Sequence, residues 1–203
     1  MSKTTIIDLL RHGEVEGGEI IRGSTNDKLT DEGWTQMQDA LQGDVKWDVI
    51  ISSPLLRCAE FAESLADQEG VKCEIIEALE EINFGDWEGC TRDDLMKEDD
   101  GILKRWWTSP TKQTPPKGED FHDFRGRVLK SLKAIIEKHE GKRILVITHA
   151  GVIRVMLMYI LGMQEENLFR LNVDHASIST IRMYQDNTGE WGTLISHGCP
   201  TTV

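Results

Sequence analysis

Arg143-Ile144-Leu145-Val146-Ile147-Thr148 runs straight into His149-Ala150-Gly151, and the pattern turns helical from Val152 to Leu161. Six residues this short, apolar and β-branched predict a strand buried on both faces, as in a parallel sheet covered by helices. Outward from it, Lys3 to Leu10 (K-T-T-I-I-D-L-L) reads as a second buried strand. Thr30-Asp31-Glu32-Gly33 opens a helix: the threonine can cap, and acidic residues suit the first turn. Trp34, Met37 and Leu41 then fall on one helical face. Trp47 to Ile51 is a further strand. Ser53-Pro54 predicts a cap and first helical residue for a helix carrying Leu55, Cys58, Ala59, Ala62, Leu65 and Ala66. Cys73 to Ala78 is a weaker strand, and Thr91 to Lys97 a polar helix. Thr108 to Gly118 holds three of the five prolines and reads as a loop. Phe121 to His139 is a long helix with Phe124, Val128, Leu132, Ile135 and Ile136 inward. Ile178 to Tyr184 and Thr193 to Ser196 are late strands flanking a turn at 186–192. Strands alternating with helices imply a mostly parallel sheet in a three-layer α/β/α sandwich. The expectation is a single domain over 1–203, with a lid or flap around 88–120.

A chain of 203 residues with 39% hydrophobic and 29% charged residues has the balance of a soluble globular protein. No apolar run approaches the roughly 20 residues needed to span a bilayer. Met1 to Thr5 lead directly into a strand-like stretch, without the apolar centre of a signal peptide, so a cytoplasmic location is expected. The formal charge of −12 disfavours nucleic acid and anionic membranes as partners. A small anionic substrate then requires a local cationic cluster that overrides the global field. Cys58, Cys73, Cys90 and Cys199 are scattered, which predicts reduced thiols used in packing. The six histidines show no metal-ligand spacing, so neither a metal nor another cofactor is expected.

Three groups of reactive residues lie just past predicted strands: Arg11-His12-Gly13, Ser53-Pro54-Leu55-Leu56-Arg57, and His149-Ala150-Gly151. The carboxyl edge of an open parallel sheet is where ligands bind, so Arg11, His12, Arg57 and His149 are expected to converge. Arginine forks match phosphate oxygens. A neutral imidazole is a competent nucleophile, and a phosphohistidine divides a hard hydrolysis into two easier steps. The second histidine is expected as a cationic donor to a phosphoryl oxygen. A carboxyl group is needed to protonate the leaving oxygen and later to activate water.

Arg11-His12-Gly13 and Thr148-His149-Ala150-Gly151, with Arg57 between, resemble the histidine phosphatase, or phosphoglycerate mutase-like, superfamily. Glu81 through Gly89 resembles that family's E-x-x-F-G-x-W-E-G segment. Gly23 through Gly33, and Pro116-Lys117-Gly118-Glu119-Asp120, resemble two further family runs, with Asp27 one place late and Asp120 where serine is usual. The resemblance implies a metal-free phosphatase with a phosphoglycerate mutase-like fold. His12 would be nucleophile, Arg11, Arg57 and His149 a phosphate clamp, and Glu81, not Glu80, the acid and base. Gly23 and Ala150 would also meet the substrate, a small phosphorylated metabolite. Glu14 to Asp27 and His175-Ala176-Ser177-Ile178-Ser179 resemble α-ribazole phosphatases, with Trp106-Trp107 and the proline-rich loop as an aromatic wall for the base. Glu16-Gly17-Gly18 stand where relatives have a phosphate-contacting asparagine.

Against these stand blander and rival readings. Arg57 and Arg22 read equally well as solvated charges, and Arg154 as structural. A broad-specificity phosphatase and a phosphoglycerate mutase are alternatives, the mutase set back by the length of its enclosing segments. A silent phosphate-binding module would have lost a catalytic side chain, and none is missing. A two-histidine, one-carboxylate metal site from His12, His149 and Glu81 would place fixed cations beside a divalent ion.

Overall fold

The computed structural model describes residues 3–99, 101–186 and 189–199. Six strands form one sheet in the order β3-β2-β4-β1-β5-β6. These are β1 (Lys3–Arg11), β2 (Val49–Ser52), β3 (Lys72–Ile75), β4 (Arg143–Thr148), β5 (Ile178–Asp186) and β6 (Gly189–Cys199). β3, β2, β4 and β1 run parallel, while the β5–β6 hairpin adds an antiparallel edge.

Alternation along the strands builds two cores. Ile7, Leu9, Val49, Ile51, Ile144 and Val146 face one side, against α5 (Phe121–Lys138) and α6 (Ala150–Ile160). Leu10, Ile50, Leu145 and Ile147 face the other, against α1 (Asp31–Ala40) and α2 (Leu56–Glu69). Period-two alternation with both faces apolar is what obliges helices on both sides. Each fully buried aliphatic side chain contributes about 1.5–3 kcal/mol to this arrangement. Two short helices, α3 (Arg92–Glu98) and α4 (Ile102–Thr108), join the first core through Leu95, Leu103 and Trp106.

The expected elements are present, with shifted ends. Thr30 caps α1, its side chain accepting from the Gly33 N–H. The helix predicted to open at Ser53-Pro54 instead begins at Leu56. Its first amide is capped from a distance: Leu56 N–H donates to Asn26 Oδ1 at 2.7 Å. The Ser53 hydroxyl accepts from the Leu55 N–H at 3.3 Å and also meets the site described below. The late strands extend further than predicted, to Asp186 and from Gly189; the middle of the expected turn, 187–188, falls outside the described residues. α4 precedes the expected loop and is absent from the sequence expectation, because two apolar residues three apart are too short a signal. Cys58 is a buried free thiol, while Cys73 and Cys90 are half-buried. Among the described residues no helix is long and apolar enough to cross a membrane.

A single carboxylate ties the sheet's polar interior together. Asp8, fully buried, accepts from Trp47 Nε1 (2.8 Å), Thr180 Oγ1 (2.7 Å) and Arg143 Nε (2.8 Å). Losing the cation leaves a buried charge short of its partner. Arg143→Met should therefore lower stability by roughly 3 kcal/mol in urea unfolding. A loss below about 0.5 kcal/mol would mean that the pair behaves like a surface ion pair.

Candidate active site

Strand register brings the reactive groups together. Arg11 lies opposite Thr148, and Ser52 opposite Ile147, so β1, β4 and β2 end side by side. The residues after those ends are His12, His149 and Ser53. The His12 N–H donates to Thr148 O at 3.0 Å, extending the ladder by one residue. The two imidazole centroids are 5.2 Å apart, at 61°. Arg57, in the first turn of α2, reaches the same point: its Nε donates to His149 Nδ1 at 3.3 Å. Its terminal nitrogens donate to Thr25 O (2.6 Å) and Gly23 O (2.7 Å). Arg11 donates to Val173 O at 2.7 Å, and its Nε is buried without a hydrogen-bond partner.

The tautomers follow from these partners. His12 Nδ1 lies 2.8 Å from the Gly13 carbonyl, which can only accept, so Nδ1 carries the proton and Nε2 keeps its lone pair. His149 Nδ1 faces a guanidinium that can only donate, so its proton is on Nε2, pointing at Ser53 Oγ 2.8 Å away. Burial, Arg57 and Arg11 hold His12 well below the usual histidine range. Burial, then Arg57, His12 and Arg11, do the same to His149. The expected cationic donor is therefore a neutral one before any anion arrives. Burial lowers Arg11 to about 10, which still leaves it charged at neutral pH. The neighbouring Cys58 thiol is pushed up to about 12 by burial and stays protonated.

Glu81 comes from the loop after β3. Its carboxylate accepts from Ile82 N–H (3.0 Å) and from Gly151 N–H (2.9 Å) in the first turn of α6. A Cβ on Gly151 would lie 2.2 Å from Glu81 Oε1, so only glycine lets the carboxylate dock there. Arg127 of α5 fixes the preceding backbone, donating to Ala78 O, Glu80 O and Glu81 O while pairing with Glu119. The Pro116–Asp120 turn thereby acquires a physical role, because it presents Glu119 to the arginine that holds Glu81.

Arg11, His12 and Glu81 open onto a cavity of about 720 Å³. Its wall includes Val15, Ile20, Ile21, Arg22, Arg92 and His175, and Glu14, Glu16 and Glu19 lie around it. Glu80 lines a neighbouring groove instead. Gly23, Ala150, Arg57 and His149 are not among the lining residues: Gly23 has its N–H on Glu88 and its carbonyl on Arg57, Ala150 packs in the core, and Arg57 and His149 are fully buried next to His12. Arg22 is tied to Asp27 Oδ2 at 2.6 Å, and Arg154 donates to Leu171 O. The expected aromatic wall is not there. Trp106 is buried against Phe84, Trp87 and Phe169, and the exposed Trp107 lies under the Arg92 guanidinium. His175 supplies the ring instead, 5.5 Å from His12. The sequence singles out its segment, His175 to Ser179, but nothing local marks the imidazole itself. Among the described residues no three His, Cys, Asp or Glu side chains group to hold a metal ion.

Residues 7–191 match the model of the histidine phosphatase superfamily, branch 1. The chain belongs to that superfamily. It is 34% identical over 185 residues to the bifunctional protein Rv2228c of Mycobacterium tuberculosis, matching 88% of this chain and 50% of that one. The chain thus aligns with about half the length of that relative. It is 30% identical over 181 residues to the adenosylcobalamin/α-ribazole phosphatase of Escherichia coli, covering 87% of this chain and 89% of that protein. The α-ribazole phosphatase structure from Shigella flexneri superposes with a TM-score of 0.81 at 27% identity, over 98% of both chains. The superfamily's mixed α/β fold, expected from the strand–helix alternation, is the one observed.

His175 offers a test of the electrostatics. Desolvation by the cavity wall, then Arg11 and Arg22, lowers it to about 4 although the residue as a whole is exposed. The unfolded chain takes up this proton below about pH 6.5 and the native state does not, so stability falls as pH drops through that window. His12 and His149 act in the same direction. Urea unfolding of His175→Asn between pH 6.5 and 4 should show a shallower slope, by up to one proton. An unchanged slope would mean that the ring titrates alike in both states.

Proposed function

We propose that this protein hydrolyses small phosphomonoesters through a phosphohistidine on His12. The observation that carries the reading is the buried, unpartnered Nε of Arg11 beside an imidazole whose Nε2 keeps its lone pair, with both residues lining one cavity. Two guanidiniums, Arg57 buried and Arg11 half-buried, and two neutral imidazoles form a site suited to an anion. In the first step, with Glu81 entering as the carboxylic acid, His12 Nε2 attacks phosphorus, the P–O ester bond breaks, and Glu81 gives its proton to the leaving alkoxide. In the second, the Glu81 carboxylate takes a proton from water, the oxygen attacks phosphorus, and the P–N bond breaks to release phosphate. Arg11 and Arg57 carry the charge spread over the transferring group. His149, neutral at rest, is raised by the dianion and donates to it on turning its Nε2–H from Ser53 Oγ.

The substrate is α-ribazole 5′-phosphate on this reading, supported by the relatives that carry that name over nearly the whole chain. Val15, Ile20, Ile21 and the His175 ring offer the apolar side that its base needs. The glutamates around the cavity favour a second reading, a phosphomonoester bearing an amine, such as phosphoserine. A domain over 1–203 with a lid around 88–120 remains part of the proposal.

Trapping with labelled substrate should place phosphate on His12, and His12→Ala should lose at least about 10,000-fold in turnover. Glu81→Gln should lose roughly 100- to 10,000-fold, less with good leaving groups, while Glu80→Gln stays near wild type. Activity that vanishes with chelator and returns with a divalent ion would favour a metal-dependent site instead.

Substrate choice is read from kcat/KM. α-Ribazole phosphate should exceed phosphoserine, 3-phosphoglycerate, fructose 2,6-bisphosphate and a phosphohistidine peptide, because remote contacts help position the reacting phosphate. A lead for phosphoserine selects the amine-bearing class, a flat profile selects broad specificity, and transfer without release selects a mutase.

A further inference from the structure

Glu88 belongs to the segment that follows Glu81 but is not among the residues that line the cavity. Its carboxylate is enclosed by donors. The N–H groups of Gly23 (3.0 Å), Ser24 (2.9 Å), Thr25 (3.1 Å) and Phe84 (2.9 Å) all point at it, as does the Thr25 hydroxyl. Three consecutive amides converging on one anion form a backbone nest of the kind that binds phosphate elsewhere. Here the anion is the protein's own. Burial opposes the charge on Glu88, but the bonds from Thr25, Phe84, Gly23 and Ser24 outweigh it and hold the carboxyl below its ordinary value. Two of the residues whose N–H groups donate to Glu88 also turn their carbonyls to Arg57. Gly23 O and Thr25 O take its two terminal nitrogens, so that its Nε is aimed at His149. Gly23 admits no side chain here, since a Cβ would lie 1.9 Å from Ile82 O and 2.5 Å from Glu88 Oε1.

We propose that Glu88 is a positioning residue for the phosphate clamp: by seating its carboxylate in the nest of residues 23–25 it fixes the carbonyls that orient the Arg57 guanidinium. This rests on the reading of Arg57 as a phosphate ligand. Each terminal nitrogen of Arg57 has a second hydrogen for an oxyanion, and the direction of that hydrogen is set by the carbonyl that holds the first. An acceptor-only group is required at position 88. A glutamine would turn an NH₂ toward amides that can only donate, and the turn would shift. Displacement of a guanidinium by about 1 Å is enough to cost on the order of 100-fold in rate.

The test is a double-mutant cycle of Glu88→Gln and Arg57→Lys, read on kcat/KM with p-nitrophenyl phosphate and on the calorimetric Kd for inorganic phosphate. Glu88→Gln should lower kcat/KM by about 100-fold and weaken phosphate binding, with the double variant no worse than Arg57→Lys alone. Additive losses, or wild-type binding and turnover in Glu88→Gln, would overturn the proposal. Should Glu88→Gln fail to fold, Thr25→Val removes one donor from the carboxylate and takes its place in the cycle, with a smaller loss of the same pattern. If the wild-type chain released no phosphate from any ester, the phosphatase reading would fall, and the phosphate Kd alone would decide the role of Glu88.

Discussion

Everything about this site depends on two guanidinium groups taken out of water. Arg57 is 1% exposed, and among the described residues no carboxylate makes a salt bridge to it or to Arg11. A buried cation with no directly paired carboxylate is held at a cost of several kcal/mol unless more distant charges, such as Glu81 for both side chains, and nearby dipoles replace its hydration. Here they do so in part: carbonyls of Gly23, Thr25 and Val173 accept from the two side chains, and the Arg11 Nε is left without a partner. The same positive field, on top of burial, keeps both imidazoles unprotonated. One constraint thus sets the charge state of the proposed nucleophile and reserves a place for an anion.

The surrounding structure is organised to keep these groups where the field needs them. Strand register fixes the histidines, a nest fixes the turn that orients Arg57, and Arg127 fixes the backbone that delivers Glu81. Close backbone contacts permit little slack. The N-terminal amide of α6 reaches Glu81 only because position 151 lacks a side chain. Preorganised donors of this kind do not have to reorient as charge develops, which is the main source of their effect on a transition state.

Much of this is legible in the sequence, for identifiable reasons. β1 and β4 declare themselves because both of their faces are buried, and the residues just past their ends are the ones that meet. The β5–β6 hairpin reads too short from sequence: its outer strand is largely exposed, so its pattern is weaker. The start of α2 differs from expectation because its cap is Asn26, thirty positions away in sequence, and no local signal reports that. The aromatic wall fails for a similar reason. Adjacent tryptophans in a helix point in different directions, and Trp106 goes to the core. The roles of Glu88, Arg127 and His175 are tertiary facts, visible only once distant backbone segments are brought together.

The glutamates around the cavity give it a field that changes sign along the way in. An approaching phosphate meets the exposed Glu14, Glu16 and Glu19 on a chain of net charge −12, with Arg92 the exposed cation among them, before it reaches Arg11 and the buried Arg57. At the physiological Debye length of about 8 Å the outer repulsion is largely screened, while the contacts within a dry site are screened far less. Capture of the anion is therefore assisted by ionic strength instead of being opposed by it, and a phosphate that has left meets the repulsive outer field again. The entrance filters against polyanions and favours release, two properties that the clamp alone would not provide.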